Sequence, residues 1–188
     1  MRVLVGEDET LIRLDLKAML ERAGFDVCAE ARDGMEALEL ARSEQPDLAV
    51  LDVKMPRLDG IEAARRMLGE RPIPIVIVSA FTERSLVTRA AAAGVFGYLA
   101  KPFRENDLLP AIATAQARFG ELAAVRDQVD TLADALAARK AIERAKGILM
   151  EKQALSEDAA FARLRKASQV SGRPMRVIAE AVIETFSA

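Results

Sequence analysis

Along the first half of the chain, short runs of β-branched and aliphatic residues alternate with amphipathic stretches. The runs are Arg2–Gly6, Phe25–Ala29, Asp47–Asp52, Pro74–Ser79 and Gly97–Ala100, and helical patterns start near Thr10, Gly34, Gly60, Glu83 and Arg104. Val50-Leu51 and Ile75-Val76-Ile77-Val78 are continuously apolar, as strands covered on both faces should be. Gly24 falls where a helix C-terminal cap belongs, and Asp33 suits the N-cap of the helix that follows it. Five strands alternating with five helices predict an α/β fold, a doubly wound five-stranded parallel sheet with helices on both faces.

From about Asp107 the strand signals stop. Ile112, Ala115, Phe119 and Leu122 continue at helical spacing, and Leu122, Val125, Val129, Leu132 and Leu136 fit heptad a and d positions. With no Gly or Pro between Gly120 and Gly147, one long helix is expected to leave the sheet domain. Two heptads are marginal for a coiled coil, so this stretch either pairs with a second copy or folds back on its own domain. Three shorter helices are expected next. The first covers Arg139–Gln153, the second is capped by Ser156 with Glu157 and Asp158 at its positive end, and the third opens at Pro174 after a stop at Ser171-Gly172. Ile142, Leu149, Phe161, Leu164, Val177, Ile178 and Val182 are expected to face inward. The domain reading is therefore 1–118 for the sheet domain, 119–138 for a helical linker, and 139–188 for a small all-α three-helix domain.

Composition narrows the chemistry. The chain is 51% hydrophobic and 30% charged over 188 residues, which is a globular balance. No apolar run reaches the roughly 18 residues of a membrane span, and Met1-Arg2-Val3-Leu4-Val5-Gly6 turns acidic at Glu7, too soon for a signal peptide. A soluble cytoplasmic protein is the expectation. The single cysteine, Cys28, excludes an internal disulfide and a cysteine-built metal site. The absence of histidine excludes serine–histidine catalysis, histidine-ligated zinc and a phosphohistidine on this chain. Carboxylates, lysines and hydroxyls must carry whatever chemistry there is.

Glu7 and Asp8 follow the first predicted strand, Asp52 ends the third, Ser79 ends the fourth and Lys101 follows the fifth. Ligands of doubly wound sheets bind beyond the carboxyl ends of strands, where the strand order reverses. In the flavodoxin-like order 2-1-3-4-5, that crevice lies between strands one and three and brings these five side chains to one edge. So many like charges call for a cation, and magnesium suits one or two carboxylates plus waters and phosphate oxygens. Asp52 is then a candidate nucleophile toward a phosphoryl group. Lys101 would neutralise charge, and Ser79 would donate a hydrogen bond to a phosphoryl oxygen.

Residues 1 to about 120 resemble a response-regulator receiver domain. The resemblance is carried by Gly6-Glu7-Asp8-Glu9, Leu51-Asp52-Val53-Lys54-Met55-Pro56-Arg57-Leu58-Asp59-Gly60, Val78-Ser79-Ala80 and Tyr98-Leu99-Ala100-Lys101-Pro102-Phe103. It implies that Asp52 accepts a phosphoryl group from a sensor histidine kinase. It implies that Asp8, Asp52 and the backbone carbonyl of Lys54 bind magnesium, with Glu7 acting through water. It further implies that Ser79 and Tyr98 form a switch pair and that Lys101-Pro102 is a cis bond. The domain would phosphorylate itself and lose the group slowly, without being an enzyme in any wider sense.

Residues 1–120 carry a net charge of −3 and residues 121–188 a net of +1, but the tail is uneven. Residues 139–176 hold ten cations against four anions, a local net of +6. A polyanion partner or a solvated amphipathic face both fit that excess. Phe161 and Phe186, the tail's two aromatics, are at core-like spacing, so stacking of bases on an aromatic sheet is not expected. Ala138 to Ile183 resembles the ANTAR domain, an RNA-binding antitermination module. The carrying residues are Arg139, Ile142, Glu143, Ala145-Lys146-Gly147-Ile148-Leu149-Met150, Ser156, Ala160-Phe161, Leu164-Arg165, Ser168 and Val177-Ile178-Ala179. The whole chain is similar to the actinobacterial phosphorylation-dependent antitermination regulators. That resemblance implies binding of paired RNA hairpins, often as a homodimer. Arg139, Lys140, Arg144, Lys146, Arg165, Lys166 and Arg176 are the candidate RNA contacts, while Ala145, Gly147 and above all Met150 are of a kind that serves helix packing.

Three other readings fit parts of the pattern. A basic three-helix tail can be a DNA-binding helix-turn-helix, or the tail can be a protein-docking helix. A haloacid-type phosphatase would also use a carboxylate like Asp52, but it normally has a second aspartate two positions on, where this chain has Lys54.

Overall fold

The computed structural model describes residues 1–81 and 83–187. Its strands are β1 (Arg2–Gly6), β2 (Asp26–Ala31), β3 (Leu48–Asp52), β4 (Ile75–Ser79) and β5 (Gly97–Ala100). The helices are α1 (Thr10–Arg22), α2 (Gly34–Glu44), α3 (Gly60–Glu70), α4 (Arg84–Ala92), α5 (Glu105–Gln153), α6 (Glu157–Ser171) and α7 (Met175–Ser187). The chain divides into two compact units, residues 1–123 and 124–188.

In the first unit the five strands pair in parallel in the order β2-β1-β3-β4-β5. Every residue of β3 and β4 is buried, and the twofold period of a strand sends alternate side chains to two separate cores. Leu48, Val50, Val76 and Val78 pack with Leu16 and Leu20 of α1 and with Leu108, Ile112 and Ala115 of α5. Ala49, Leu51, Ile75 and Ile77 pack with Leu38 of α2, Ile61 and Met67 of α3, and Ala90 of α4. The doubly wound sheet read from the sequence is thus the observed architecture. β2 runs two residues further than expected, to Ala31, which pairs with Gly6, and a register shift between Val3 and Leu4 leaves one extra residue, Cys28, in β2.

The loops at the carboxyl edge are fixed from both sides. Asp33 caps α2, accepting from the backbone N–H groups of Met35 (2.9 Å) and Glu36 (3.0 Å), and also pairs with Arg57 of the loop after β3. Asp59 caps α3 by accepting from Glu62 N–H at 2.9 Å. Gly60, the first residue of α3, donates to the carbonyl of Val53 at 3.0 Å. A Cβ on Gly60 would lie 1.9 Å from the backbone oxygen of Asp52, so only glycine lets α3 start this close to the end of β3.

In the second unit, the helix expected over Arg139–Gln153 is the last part of α5 and not a separate element. Gly147, with nothing within 4 Å of where its Cβ would be, does not interrupt the helix. The helix ends before Ala154, whose φ is +53°. Ser156 caps α6 by accepting from Ala159 N–H at 3.3 Å, and Gly172 ends it in a left-handed conformation. Ala145, Leu149, Ala160, Leu164 and Ala179 form the core, with Ile142, Ile178 and Val182 packed around it. Phe161 and Val177 were expected inside but are 42% and 39% exposed, and Met150 is 40% exposed. The reason is rotational. Each stands beside a buried residue or on its flank, about 100° per residue around the helix, and the alanines at 145, 160 and 179 bring the helices too close for larger side chains. The heptad stripe from Leu122 to Leu136 is exposed throughout, at 38–70%.

Replacing Gly60 by Ala is expected to lower stability by about 1–3 kcal/mol, the usual cost of overpacking, because the clash is with backbone that cannot rotate away. Thermal unfolding of the two proteins at equal concentration measures this.

Candidate functional site

The parallel order makes β1 and β3 neighbours, so the residues that follow β1 and end β3 meet at one edge. Glu7, Asp8, Asp52, Ser79 and Lys101 all line one cavity of about 650 Å³, with Lys54, Phe81, Pro102 and Phe103 among the other walls. One oxygen each from Glu7, Asp8 and Asp52 lies within 4.8 Å of the others. Lys101 stands between two of them, its Nζ 2.6 Å from Glu7 Oε2 and 2.6 Å from Asp52 Oδ1. The second oxygen of Asp52 accepts from the backbone N–H of Lys54 at 2.6 Å. Ser79 is buried, and its Oγ accepts from Phe81 N–H at 3.1 Å. Tyr98 is half-buried and its hydroxyl donates to the carbonyl of Phe81. Lys101-Pro102 is cis, as expected.

Burial is the largest influence on both inner carboxyls. It pushes Glu7 and Asp52 above the ordinary carboxylate range, although the Lys101 ammonium pulls each one down. Their like-charged neighbours add to the rise: Asp52 acts on Glu7, and Asp8 acts on Asp52. Burial alone would discourage the Lys101 ammonium, but Asp52 and Glu7 together outweigh it and hold that group above its ordinary value. With all four ionised, three carboxylates face one ammonium. Such a surplus of hard oxygen donors fits a divalent cation that accepts few protein ligands and keeps its waters.

Sequence reasoning missed Phe81. Its backbone touches both Ser79 and Tyr98, and Lys54 Nζ lies 3.6 Å from its ring centroid. A positional signal was there to be read: Phe81 stands two residues past the end of β4, as Lys54 stands two past the end of β3. Arg13 was also unforeseen. It is buried and donates to the carbonyl of Glu7 at 2.7 Å, which anchors the start of the acidic loop.

The cations singled out in the tail separate into two groups. Arg139, Lys140, Arg144, Arg165 and Lys166 are exposed. Lys146 is buried at 8% exposure, and its Nζ reaches Glu143 at 3.0 Å and Glu157 at 2.6 Å, tying α5 to the start of α6. Arg176 is half-buried and pairs with Asp134 at 3.0 Å and Glu180 at 2.8 Å. Hydrogen bonds to Glu157 and Glu143 raise the Lys146 ammonium, and Lys146 in turn holds Glu157 below the ordinary carboxylate range.

Comparison with known proteins matches two segments of the chain, the second of which starts inside the stretch read as a linker. Residues 3–113 match the response regulator receiver domain family, and residues 130–183 match the ANTAR domain family. The transcriptional regulatory protein PdtaR of Mycobacterium tuberculosis is 48% identical over 185 residues, which is 98% of this chain and 90% of that protein. The chemotaxis protein CheY of Thermotoga maritima is 32% identical over 112 residues, covering 59% of this chain and 93% of CheY. Among solved structures, the response regulator domain of Thermotoga maritima CheB superposes with a TM-score of 0.58 at 30% identity, over 62% of this chain and 96% of that one. The receiver domain of a NarL regulator from Mycobacterium tuberculosis gives a TM-score of 0.57 at 35% identity, over 60% of this chain and 92% of that one.

A pH-dependent prediction follows from the Lys146 cluster. Because Glu157 is depressed below 4.5 in the folded tail, its pairing stabilises fully above that pH and is lost as pH falls through the folded value. Lys146→Met is therefore expected to lower the unfolding temperature at pH 7, with the gap to the unmodified protein narrowing between about pH 5 and pH 3. Thermal circular dichroism across that range checks it, and a gap that does not change with pH counts against the pairing.

Proposed function

Since the chain belongs to the response regulators, with a receiver domain followed by an ANTAR output domain, we propose that Asp52 accepts a phosphoryl group from a sensor histidine kinase and that the tail then binds RNA hairpins to cause transcription antitermination. One observation carries this reading: a buried carboxylate at a strand end, 2.6 Å from a lysine ammonium, in one cavity with two further carboxylates and a serine hydroxyl. Phosphoryl transfer needs little beyond alignment and charge neutralisation, and these residues supply both. Asp8, Asp52 and the Lys54 carbonyl would hold magnesium, with Glu7 acting through water, and the ion would neutralise charge on the phosphoryl oxygens. A free-standing phosphatase activity is not part of this function. The receiver transfers the group to itself and loses it slowly.

Once Asp52 carries the phosphoryl dianion, Lys101 and Ser79 are the ammonium and hydroxyl in the same cavity that can turn toward it. Ser79 is tied to Phe81, and Phe81 to Tyr98, so a shift of the hydroxyl is passed to β5 and on to the helix that follows. The added charge shifts an existing equilibrium only by its differential interaction with the two states. The tail's response is pairing with a second copy through the exposed heptads. In a parallel pair, Glu121 would face Arg126 of the partner helix, a g-to-e match of opposite charges. Two heptads are weak alone, which suits a switch better than a permanent dimer.

Arg139, Lys140, Arg144, Arg165 and Lys166 are the cations best exposed for phosphate contacts. Lys146 and Arg176 enter the interface only by exchanging their carboxylate partners for phosphate. The opposing possibility, a DNA-binding output, predicts tighter binding to duplex DNA than to hairpin RNA in a single competition gel.

Three measurements test the proposal. Magnesium should raise the unfolding temperature by mass action on the folded state, Asp8→Asn should weaken that response, and Asp52→Ala should abolish labelling by a small acyl phosphate without unfolding the sheet. Arg165→Ala with Lys166→Ala should weaken binding of hairpin RNA and flatten its dependence on log salt by roughly 0.7–0.9 for each phosphate that is no longer neutralised.

A further inference from the structure

The heptad positions of α5 continue past Leu136 and change character there. The helix is unbroken to Gln153. Counting on by sevens from Leu122 and Val125 makes Arg139 and Lys146 the next d positions, and Glu143 and Met150 the next a positions. In a parallel pair each would meet its own counterpart, cation against cation and carboxylate against carboxylate, which costs energy. Pairing of the kind proposed above therefore ends near Leu136 and the helices part, as basic helices fork beyond a zipper. The row Arg139, Glu143, Lys146 and Met150 then lies open on each copy. A second helix widens this face. α6 turns back along α5, its Ala160 and Leu164 sharing one core with Ala145 and Leu149. The Lys146 ammonium reaches Glu157 at 2.6 Å, on the side of the hairpin where the row runs. Phe161 and Arg165 follow Glu157 in steps of four, so they share that side. Glu143 and Glu157 are both engaged by Lys146, which leaves the exposed guanidiniums of Arg139 and Arg165 as the outward charges. Beside them stand two large apolar side chains, Met150 at 40% and Phe161 at 42% exposure.

We propose that this face receives an unpaired base from the loop of an RNA hairpin, stacked on the Phe161 ring with Met150 against it, while Arg139 and Arg165 contact the neighbouring phosphates. The inference rests on the reading of the tail as RNA-binding, and it names the part of the RNA that is recognised. Hairpin loops offer bases free of the helical stack, and an aromatic ring is a surface on which such bases settle. The flexible thioether of Met150 adapts to the outline of the base. One ring on a helix is a narrower platform than an aromatic sheet, so it holds a single base. A second copy is the other occupant for an exposed apolar face, but it would bring a second Arg139 against the first. A polynucleotide brings instead the phosphate charge that both arginines lack.

The test uses the full chain, treated with a small acyl phosphate, and two RNA probes that share one stem. One is a hairpin library with a randomised loop, and the other closes the same stem with an abasic loop of equal length. Filter binding gives the ratio of the two affinities and its dependence on salt. Phe161→Ala is expected to reduce that ratio about tenfold, the usual worth of one stacked base, and Met150→Ala to reduce it less. Phe161→Leu keeps the apolar bulk without a ring and should lose the ratio as well, whereas Phe161→Tyr should retain it. Arg139→Ala and Arg165→Ala should weaken both probes alike and flatten the salt dependence. A ratio that Phe161→Ala and Phe161→Leu leave unchanged, or a ratio of one in the unmodified chain, would overturn the base site while leaving RNA binding intact. If the Phe161 and Met150 variants instead dissociate paired chains in sedimentation without RNA, and both probes lose affinity together, the face belongs to a second copy and the proposal fails. If the unmodified chain binds neither probe at low salt, the RNA reading fails and the base site fails with it.

Discussion

The Lys101 ammonium, held at 2.6 Å between Glu7 and Asp52, is the contact on which the first unit's chemistry depends. Without it, two carboxylates would be buried side by side with no counter-charge, a costly arrangement in any folded protein. Its position is set by topology. Glu7 comes from β1, Asp52 from β3 and Lys101 from the end of β5, so nearly the whole sheet must be assembled before the three groups meet. Burial keeps both acids above their ordinary range even though Lys101 pulls each one down. Their charge therefore opposes folding as the pH rises through the folded values, and a partner of opposite charge gains the energy released by relieving it. A site built on such tension responds to any change in its own charge.

Much of this was legible in the sequence. The continuous apolar run Ile75-Val76-Ile77-Val78 announced a strand buried on both faces, and both faces are indeed packed, Ile75 and Ile77 in one core and Val76 and Val78 in the other. The edge residues Glu7, Asp8, Asp52, Ser79 and Lys101 were legible because strand ends are marked by the same pattern, and the strand order decides which ends meet. Phe81 was legible only through its position two residues past the end of β4, since a lone aromatic in a loop carries no period. Its part comes from backbone bonds to Ser79 and Tyr98 and from the position of a lysine ammonium over its ring, none of which composition encodes.

The tail was harder for a different reason. In a unit of this size, the choice between inside and outside rests on one or two turns of each helix. Ala160 and Leu164 define the inward stripe of α6, and Phe161, the next residue, falls outside it despite being the larger apolar group. Counting cations overstated the free positive surface for a related reason. Lys146 is spent inside the unit on Glu143 and Glu157, and Arg176 on Asp134 and Glu180. The exposed remainder, on α5 and α6, is a smaller and more directional feature than the net charge suggests.

The glycine at the head of α3 has one more consequence. With the carbonyl of Asp52 pressed against Gly60, and no space for even a methyl group between them, the main chain beneath the Asp52 carboxylate is clamped. A new charge on that side chain finds a rigid support below it, so the strain it creates is not absorbed by a yielding strand. Under the proposed phosphorylation it would fall instead on the Ser79 hydroxyl and the Lys101 ammonium, which line the same cavity. A rigid foundation of this kind makes a small local event readable at a distance.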